Sequence, residues 1–224
     1  MIPARFAIRE TMGLVVMGAA LFWSAGEIGW PAAWALIAVT AGWVVSTAIV
    51  ILRYNPELLA ERLGPRKGAK RWDTTIMGVY GLLQLAALIV AGLDRRYGGT
   101  AGFPEALQAI ALAVCVLGYA LTVWATASNA YFSQIVRIQT DRGHQVATGG
   151  PYQYVRHPAY TGTILTCLAV PLLLASWRAL AIGAAGALLI VLRTILEDRT
   201  LMAELAGYPE YARQVCRRLI PGLW

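Results

Sequence analysis

Charge is what this chain has least of. Asp, Glu, Lys and Arg make up 14% of its 224 residues, where soluble domains sit near about one quarter. With 58% hydrophobic residues and a mean hydropathy of +0.57, the chain reads as an integral membrane protein. Its length leaves room for little beyond spans and short connections, so one membrane domain is expected, with no soluble partner domain. Histidine is as scarce: His144 and His157 are the only two, which excludes a multi-histidine metal centre, and no metal site is expected. Three cysteines cannot all pair, and none has the Cys-x-x-Cys spacing of a metal site. Cys115 and Cys167 lie inside apolar runs and Cys216 in a basic tail; all read as buried or reduced thiols. The phosphate loop, the Gly-x-Ser-x-Gly elbow and the His-Glu-x-x-His zinc helix are missing. So is the glycine-rich fingerprint of soluble nucleotide-binding folds. Any nucleotide-containing cofactor must bind here in a membrane-specific way.

The charge that is present has the wrong distribution for nucleic acid. The net charge of +7 gathers in loops between apolar runs, which the positive-inside bias explains. Arg5 and Arg9 before the Met12–Trp23 run, with Ser24-Ala25-Gly26 behind it, mimic a signal peptide. A second apolar run follows within eight residues, which favours a retained hairpin over cleavage.

Runs of about 20 apolar residues cross a bilayer as helices. Spans are expected at about Arg9–Ala25, Ala32–Leu52, Thr74–Leu93 and Glu105–Ala127. Pro31 suits the first turn of the second, where its missing N–H costs nothing. Asn55-Pro56-Glu57 could start a short interfacial helix with Leu58, Leu59 and Leu63 on its apolar face. Further on, Tyr160–Ala175 and Ala179–Leu192 are short for full crossings and read as a tight helical hairpin, with Pro171 kinking its first arm. From Glu197 the tail reads as an amphipathic helix, interrupted at Gly207-Tyr208-Pro209 and ending near Leu219. The fold expected is all-α: a polytopic bundle of five to six transmembrane helices, including that hairpin, plus the amphipathic helix. Residues 1–128 would supply N-terminal helices and 129–224 the catalytic part.

Loop charge sets orientation. Arg53–Asp73 carries six basic residues (Arg53, Arg62, Arg66, Lys67, Lys70, Arg71), and Asn129–Ala159 adds Arg137, Arg142 and Arg156. The alternate connections hold none, two (Arg95, Arg96) and one (Arg178). Both termini and both polar motifs therefore fall on the cytoplasmic side.

Those motifs carry the chemistry. Gly149-Gly150-Pro151-Tyr152 leads to Arg156-His157-Pro158-Ala159-Tyr160-Thr161-Gly162, and Glu197-Asp198 closes a later apolar run. Charges at the edge of hydrocarbon cost a few kcal/mol each unless partnered or wet. Arg156 could simply snorkel to lipid phosphates, with Pro158 opening a helix. The surrounding glycines allow close backbone approach. Tyr152, Tyr154 and Tyr160 add hydroxyl donors, and a helix N-terminus suits an anion such as a carboxylate. The combination suits an amphiphilic ligand with an acidic end. Glu197 could pair with Arg193 four residues earlier, or it could hold an ammonium group. The tail alternates aromatic and basic residues, and either lies on anionic headgroups or covers a site that must stay dry.

Gly-Pro-Tyr…Arg-His-Pro-x-Tyr-x-Gly, followed by paired acids and Gly207-Tyr208…Tyr211…Ile220-Pro221, resembles the isoprenylcysteine carboxyl methyltransferase and phospholipid methyltransferase superfamily of integral membrane enzymes. The likeness covers about Asn129–Trp224; the first half is similar only as apolar helices. The family's usual Glu-Glu is here Glu197-Asp198. The resemblance implies S-adenosylmethionine as methyl donor and a lipophilic acceptor entering from the bilayer, in a bacterial inner membrane with the site facing the cytoplasm. It implies that His157 and Tyr160 hold the cofactor's amino-acid end and Glu197 its ammonium. Gly149, Gly150, Tyr152, Gly162, Asp198, Tyr208 and Tyr211 would complete the cofactor pocket, and Arg156 and Arg193 would face the acceptor. Two other classes stay open: a nicotinamide-dependent sterol or lipid double-bond reductase, and a non-catalytic membrane scaffold or transporter. Cysteine-accessibility labelling is expected to place positions 65 and 150 on the cytoplasmic side. Labelling of either from outside intact cells would overturn the orientation and the shared site.

Overall fold

The computed structural model describes residues 2–63, 68–222 and 224. Arg66 and Lys67, counted above among the loop charges, lie outside the described residues. Among the described residues, eight α-helices follow one another: α1 (Ile2–Ala25), α2 (Pro31–Tyr54), α3 (Glu57–Leu63), α4 (Arg71–Arg96), α5 (Glu105–Ala127), α6 (Pro158–Leu173), α7 (Trp177–Glu204) and α8 (Tyr208–Gln214). Among the described residues, α1, α2, α4, α5 and α7 are each long and apolar enough to span a bilayer. Helix α6 has 16 residues; at about 1.5 Å per residue it reaches roughly 24 Å, short of a hydrocarbon core of about 30 Å. The all-helical polytopic fold expected from the sequence is therefore the one observed. As expected, Pro31 opens α2 behind Trp30 in extended geometry. On α3, Leu58 and Leu59 are buried.

Chain order and spatial order differ. Helix α4 packs between α1 and α7, while α5 lies against α2 and, most extensively, α6. Small residues permit the closest crossing. A Cβ on Gly162 of α6 would sit 2.4 Å from the Gly118 carbonyl oxygen of α5, so the two backbones touch where no side chain fits. The α6–α7 crossing repeats the device: a Cβ on Gly183 would meet the Cys167 carbonyl at 2.2 Å. Pro171, four residues on, has no N–H to offer that carbonyl. It sits in the last turn of α6, so it helps end the helix rather than bend its middle.

The hairpin turn is as tight as expected, only Leu174, Ala175 and Ser176 separating the helices. Ala175 takes a left-handed φ of 58°, rare for a residue with a side chain. Ser176 holds the turn: its hydroxyl accepts from the Ala179 N–H (2.9 Å) and donates to Asp94 of α4 (2.5 Å). Arg178 pairs with the same carboxylate at 2.6 Å.

The second arm differs from expectation. Helix α7 does not stop near Leu192 but runs 28 residues to Glu204. Arg193, Glu197 and Asp198 lie within it, because the partners described below satisfy them along the helix. The expected amphipathic helix from Glu197 to near Leu219 is thus replaced by the end of α7, a break at Leu205–Gly207, and the seven-residue α8. The tail beyond α8 folds back by backbone pairing: the Arg156 N–H donates to the Arg217 carbonyl and the His157 N–H to that of Arg218, both at 2.9 Å.

Overpacking a tight core crossing destabilises by about 1–3 kcal/mol. Gly162→Ala is expected to lower the thermal unfolding midpoint in detergent for that reason. Gly42→Ala on α2, where an added methyl meets nothing within 4 Å, should leave the midpoint unchanged or raised.

Candidate active site

One cavity of about 660 Å³ opens inside the bundle at the end that carries the motifs. It is lined by residues of α1, α2 and α4 as well as by the connection 129–157 and α5–α8. Both halves of the chain therefore build it. Its inner reach passes Trp43 and Tyr119, stacked at 5.1 Å, and Gln84 at mid-α4. Its outer reach is walled by Tyr152, His157, Tyr160, Glu197, Tyr208 and Tyr211.

Behind that outer wall, Asp198 is 3% exposed and gathers five hydrogen bonds. Arg156 grips both its oxygens (2.9 and 3.0 Å), and Arg218 adds another contact at 2.9 Å. The Tyr208 hydroxyl donates at 2.8 Å, and His157 Nε2 lies at 3.2 Å. A buried carboxylate needs such partners, because an unpaired charge in low dielectric costs several kcal/mol. One side chain of α7 thereby ties the start of α6, α8 and the tail into one wall. Arg156 reaches on to the Val215 carbonyl (2.9 Å), and the Tyr211 hydroxyl donates to the Tyr152 carbonyl (2.7 Å). Burial pushes the phenols of Tyr152, Tyr208 and Tyr211 well up, so all three stay neutral; Tyr208 and Tyr211 donate, while the Tyr152 hydroxyl accepts from Asn129.

A second buried pair sits opposite. Arg193 donates to Asp73 of α4 at 2.7 Å and to the Gln134 carbonyl at 3.0 Å. Asp73 is fully buried, and its other oxygen accepts from the Val136 N–H at 2.8 Å. This pair fixes residues 134–136 as a lid over the cavity. Arg137 fastens the same segment to α3 through Glu61 (2.7 Å), holding that carboxyl below its usual range. Further along the connection, burial first and Arg142 second push the His144 pKa down. A neutral ring fits its Nδ1, which accepts from the Gln139 N–H at 3.3 Å.

Glu197 differs from both acids. It has no cationic partner among the described residues; its oxygen accepts from the Tyr160 hydroxyl. Tyr160 stacks on His157 at 5.7 Å and lies under the Arg193 guanidinium at 5.2 Å. Helix α6 starts at Pro158, so its N-terminal turn presents His157 and Tyr160 together, with Tyr160 reaching Glu197 of α7.

These contacts revise several expectations. Arg156 does not face an acceptor with free donors: its guanidinium is engaged by Asp198 and main-chain carbonyls. Asp198 lies behind the cavity wall rather than in it. Arg193 pairs with Asp73, not with Glu197. Gly162 is taken up by the α5 crossing, and Gly149 and Gly150 do not line the cavity; Gly150 backs onto Ser128. Tyr154 points away, 62% exposed. Sequence reading missed Asp73 and treated Arg62 only as loop charge. The available signal for Asp73 was its position, an acid at the start of a membrane helix behind six basic residues.

Residues 110–203 match the model of the isoprenylcysteine carboxyl methyltransferase (ICMT) family. The resemblance read from the motifs is borne out. The match begins inside α5, earlier than Asn129, and ends before the tail. A solved structure of the eukaryotic intramembrane Ras methyltransferase ICMT (isoprenylcysteine carboxyl methyltransferase) superposes with a TM-score of 0.57 at 20% identity. It covers 90% of this chain and 71% of that one, and shows a shared fold. No curated protein matches the sequence. The fold and the family match support a membrane methyltransferase.

Asp198→Asn tests the wall. Leaving the buried Arg156 with a neutral partner is expected to cost about 3–5 kcal/mol. Limited proteolysis should then cut after residue 205 faster than in wild type. Unchanged cleavage and an unchanged unfolding midpoint would count against the Asp198 centre.

Proposed function

We propose that this protein transfers a methyl group from S-adenosylmethionine to a lipophilic acceptor that enters from the bilayer. The observation that carries the reading is Glu197: a carboxylate on the cavity wall, held by a neutral tyrosine, with no cation of its own. An ammonium group fits that vacancy in charge and in hydrogen bonding. In this reading Glu197 binds the cofactor's ammonium, while His157, Tyr160 and the first turn of α6 take its carboxylate end. Tyr152, Tyr208 and Tyr211 line the same pocket. The cofactor-holding part is then mainly 129–224, and the acceptor's apolar body occupies the inner reach between α2, α4 and α5.

The bound cofactor supplies an electrophilic methyl on a sulfonium. The protein's part is alignment and dryness. An in-line displacement gains most from holding nucleophile and methyl carbon in one line. The lid at 134–136 and the tail exclude water, which strengthens the fixed dipoles around the reacting atoms. Arg193 positions Tyr160 and the lid instead of touching the acceptor. By the loop-charge argument this face is cytoplasmic, in a bacterial inner membrane.

Isothermal titration of the purified protein with S-adenosylhomocysteine and with NADPH tests the reading. Binding of the first and not the second is expected; the reverse moves the assignment to a reductase. Glu197→Gln keeps the shape and removes the charge. A hydrogen bond to a charged group contributes about 1.5–3 kcal/mol, so S-adenosylhomocysteine affinity should fall about ten- to a hundredfold. Equal affinity in the variant and wild type would sink the assigned role of Glu197.

A further inference from the structure

Gln84 stands halfway along the 26-residue α4, at the depth where a membrane helix is furthest from water. It lines the inner reach of the cavity. Its side-chain amide offers two N–H donors and a carbonyl, and among the described residues it meets no hydrogen-bond partner. An amide left unpaired in hydrocarbon is costly. A leucine of similar size would pack there without that cost, so the amide calls for a ligand group.

Its polar neighbours on the inner reach are engaged within the protein. The Trp43 indole N–H donates to the Thr122 hydroxyl at 2.9 Å, and that hydroxyl donates to the Tyr119 carbonyl at 2.7 Å. Thr126 and Thr166 donate to carbonyls of their own helices at 2.8 and 2.9 Å. The Tyr119 hydroxyl meets that of Thr40 at 3.3 Å, and Tyr80, one turn before Gln84, meets the Cys167 sulfur at 3.4 Å. The Thr47 hydroxyl also lacks a partner among the described residues, but its oxygen is sealed inside the protein. Gly186 of α7 lies beside the Gln84 amide: a Cβ there would sit 3.4 Å from Oε1. Gln84 is therefore the group on this stretch of wall with hydrogen bonds left to give.

We propose that Gln84 hydrogen-bonds a neutral oxygen, ketone or hydroxyl, carried within the membrane-embedded body of the acceptor. The proposal rests on the methyltransferase reading and narrows the substrate for it: an amphiphile oxygenated along its length, with a plain hydrocarbon tail disfavoured. A hydrocarbon body would cover the amide and leave it unpaired, which counts against binding. An oxygen at the same depth completes it, whereas an ionised group there would be costly. Helix α7 sets the spacing. Gly186 and Glu197 both lie on it, roughly 16 Å apart along the axis at about 1.5 Å per residue. The oxygen thus sits about one helix-half deeper than the carboxylate assigned to the cofactor's ammonium.

The test is binding of a matched probe series to the detergent-purified chain: hexadecanoic acid and its 6-, 10- and 14-oxo derivatives. These share head and length and move only the oxygen, so differences within the series report the body alone. Wild type is expected to prefer one oxo position over the parent acid by about two- to tenfold. The hydroxy acid of the favoured position, set against the oxo acid, identifies the oxygen as hydroxyl or ketone. Gln84→Leu should level the series by binding the parent acid as well as wild type does, or better. If Gln84→Leu does not fold, Gln84→Met, unbranched and closer in shape, carries the same expectation. S-adenosylhomocysteine affinity should be unchanged in either variant. A level series in wild type, binding of none of the probes, a preference that survives the substitution, or loss of S-adenosylhomocysteine binding by the folded variant would each overturn the proposal. Failure of wild type to bind S-adenosylhomocysteine would instead refute the methyltransferase reading, while the probe series would still show whether Gln84 reads an oxygen.

Discussion

Asp198 is the interaction on which the motif end of this molecule depends. A carboxylate near the edge of hydrocarbon can stay ionised only if every lone pair finds a donor. The donors it finds come from three places in the chain: Arg156 and His157 before α6, Tyr208 on α8, and Arg218 in the tail. Satisfying one acid therefore folds about sixty residues of chain into a single wall. The α6 start, the α7 end and α8 also share an apolar cluster of Ala159, Leu205, Tyr208 and Tyr211, and the directional bonds to Asp198 set its geometry. Remove the charge, and three of the donors that lose their acceptor, Arg156, His157 and Tyr208, are themselves buried.

The Asp73–Arg193 pair does for the lid what Asp198 does for the wall. Its cost of burial is offset by hydrogen bonds to the backbone at Gln134 and Val136, which makes the pair a clamp on an otherwise irregular segment. Buried ion pairs stabilise weakly compared with apolar packing; here the gain is in position. Together the two clusters neutralise Arg156, Arg193 and Asp73 beside the cavity, while Glu197 has no ion-pair partner among the described residues.

Much of the fold was legible because hydropathy reports it directly. The predicted span Glu105–Ala127 coincides with α5, Pro31 starts α2, and Asn55-Pro56 precedes α3. Misreadings fell where charge interrupts an apolar run. The sequence ends the second arm at Leu192 and starts a tail helix at Glu197, interrupted at Gly207-Tyr208-Pro209, since a run of Arg193, Glu197, Asp198 and Arg199 reads as the end of a span. The structure continues the helix through them, because partners remote in sequence carry the charge of Arg193 and Asp198. The site was legible as residue types, not as roles: His157, Tyr160 and Glu197 do converge, while Gly162 serves a helix crossing.

The sequence by itself determined a membrane bundle with its spans and a family likeness concentrated in two motifs. These follow from local composition and spacing, which need no knowledge of what lies across the fold. Only the tertiary structure decided which charges are spent on one another. Arg156, Arg193 and Arg62 are alike as arginines beside apolar runs. Asp198 and Asp73, 42 and 120 residues away from their partners, neutralise the first two, and the third is left beside Arg9 and Glu10. Pairing depends on three-dimensional neighbourhood, and a residue's availability to a ligand is what remains after pairing.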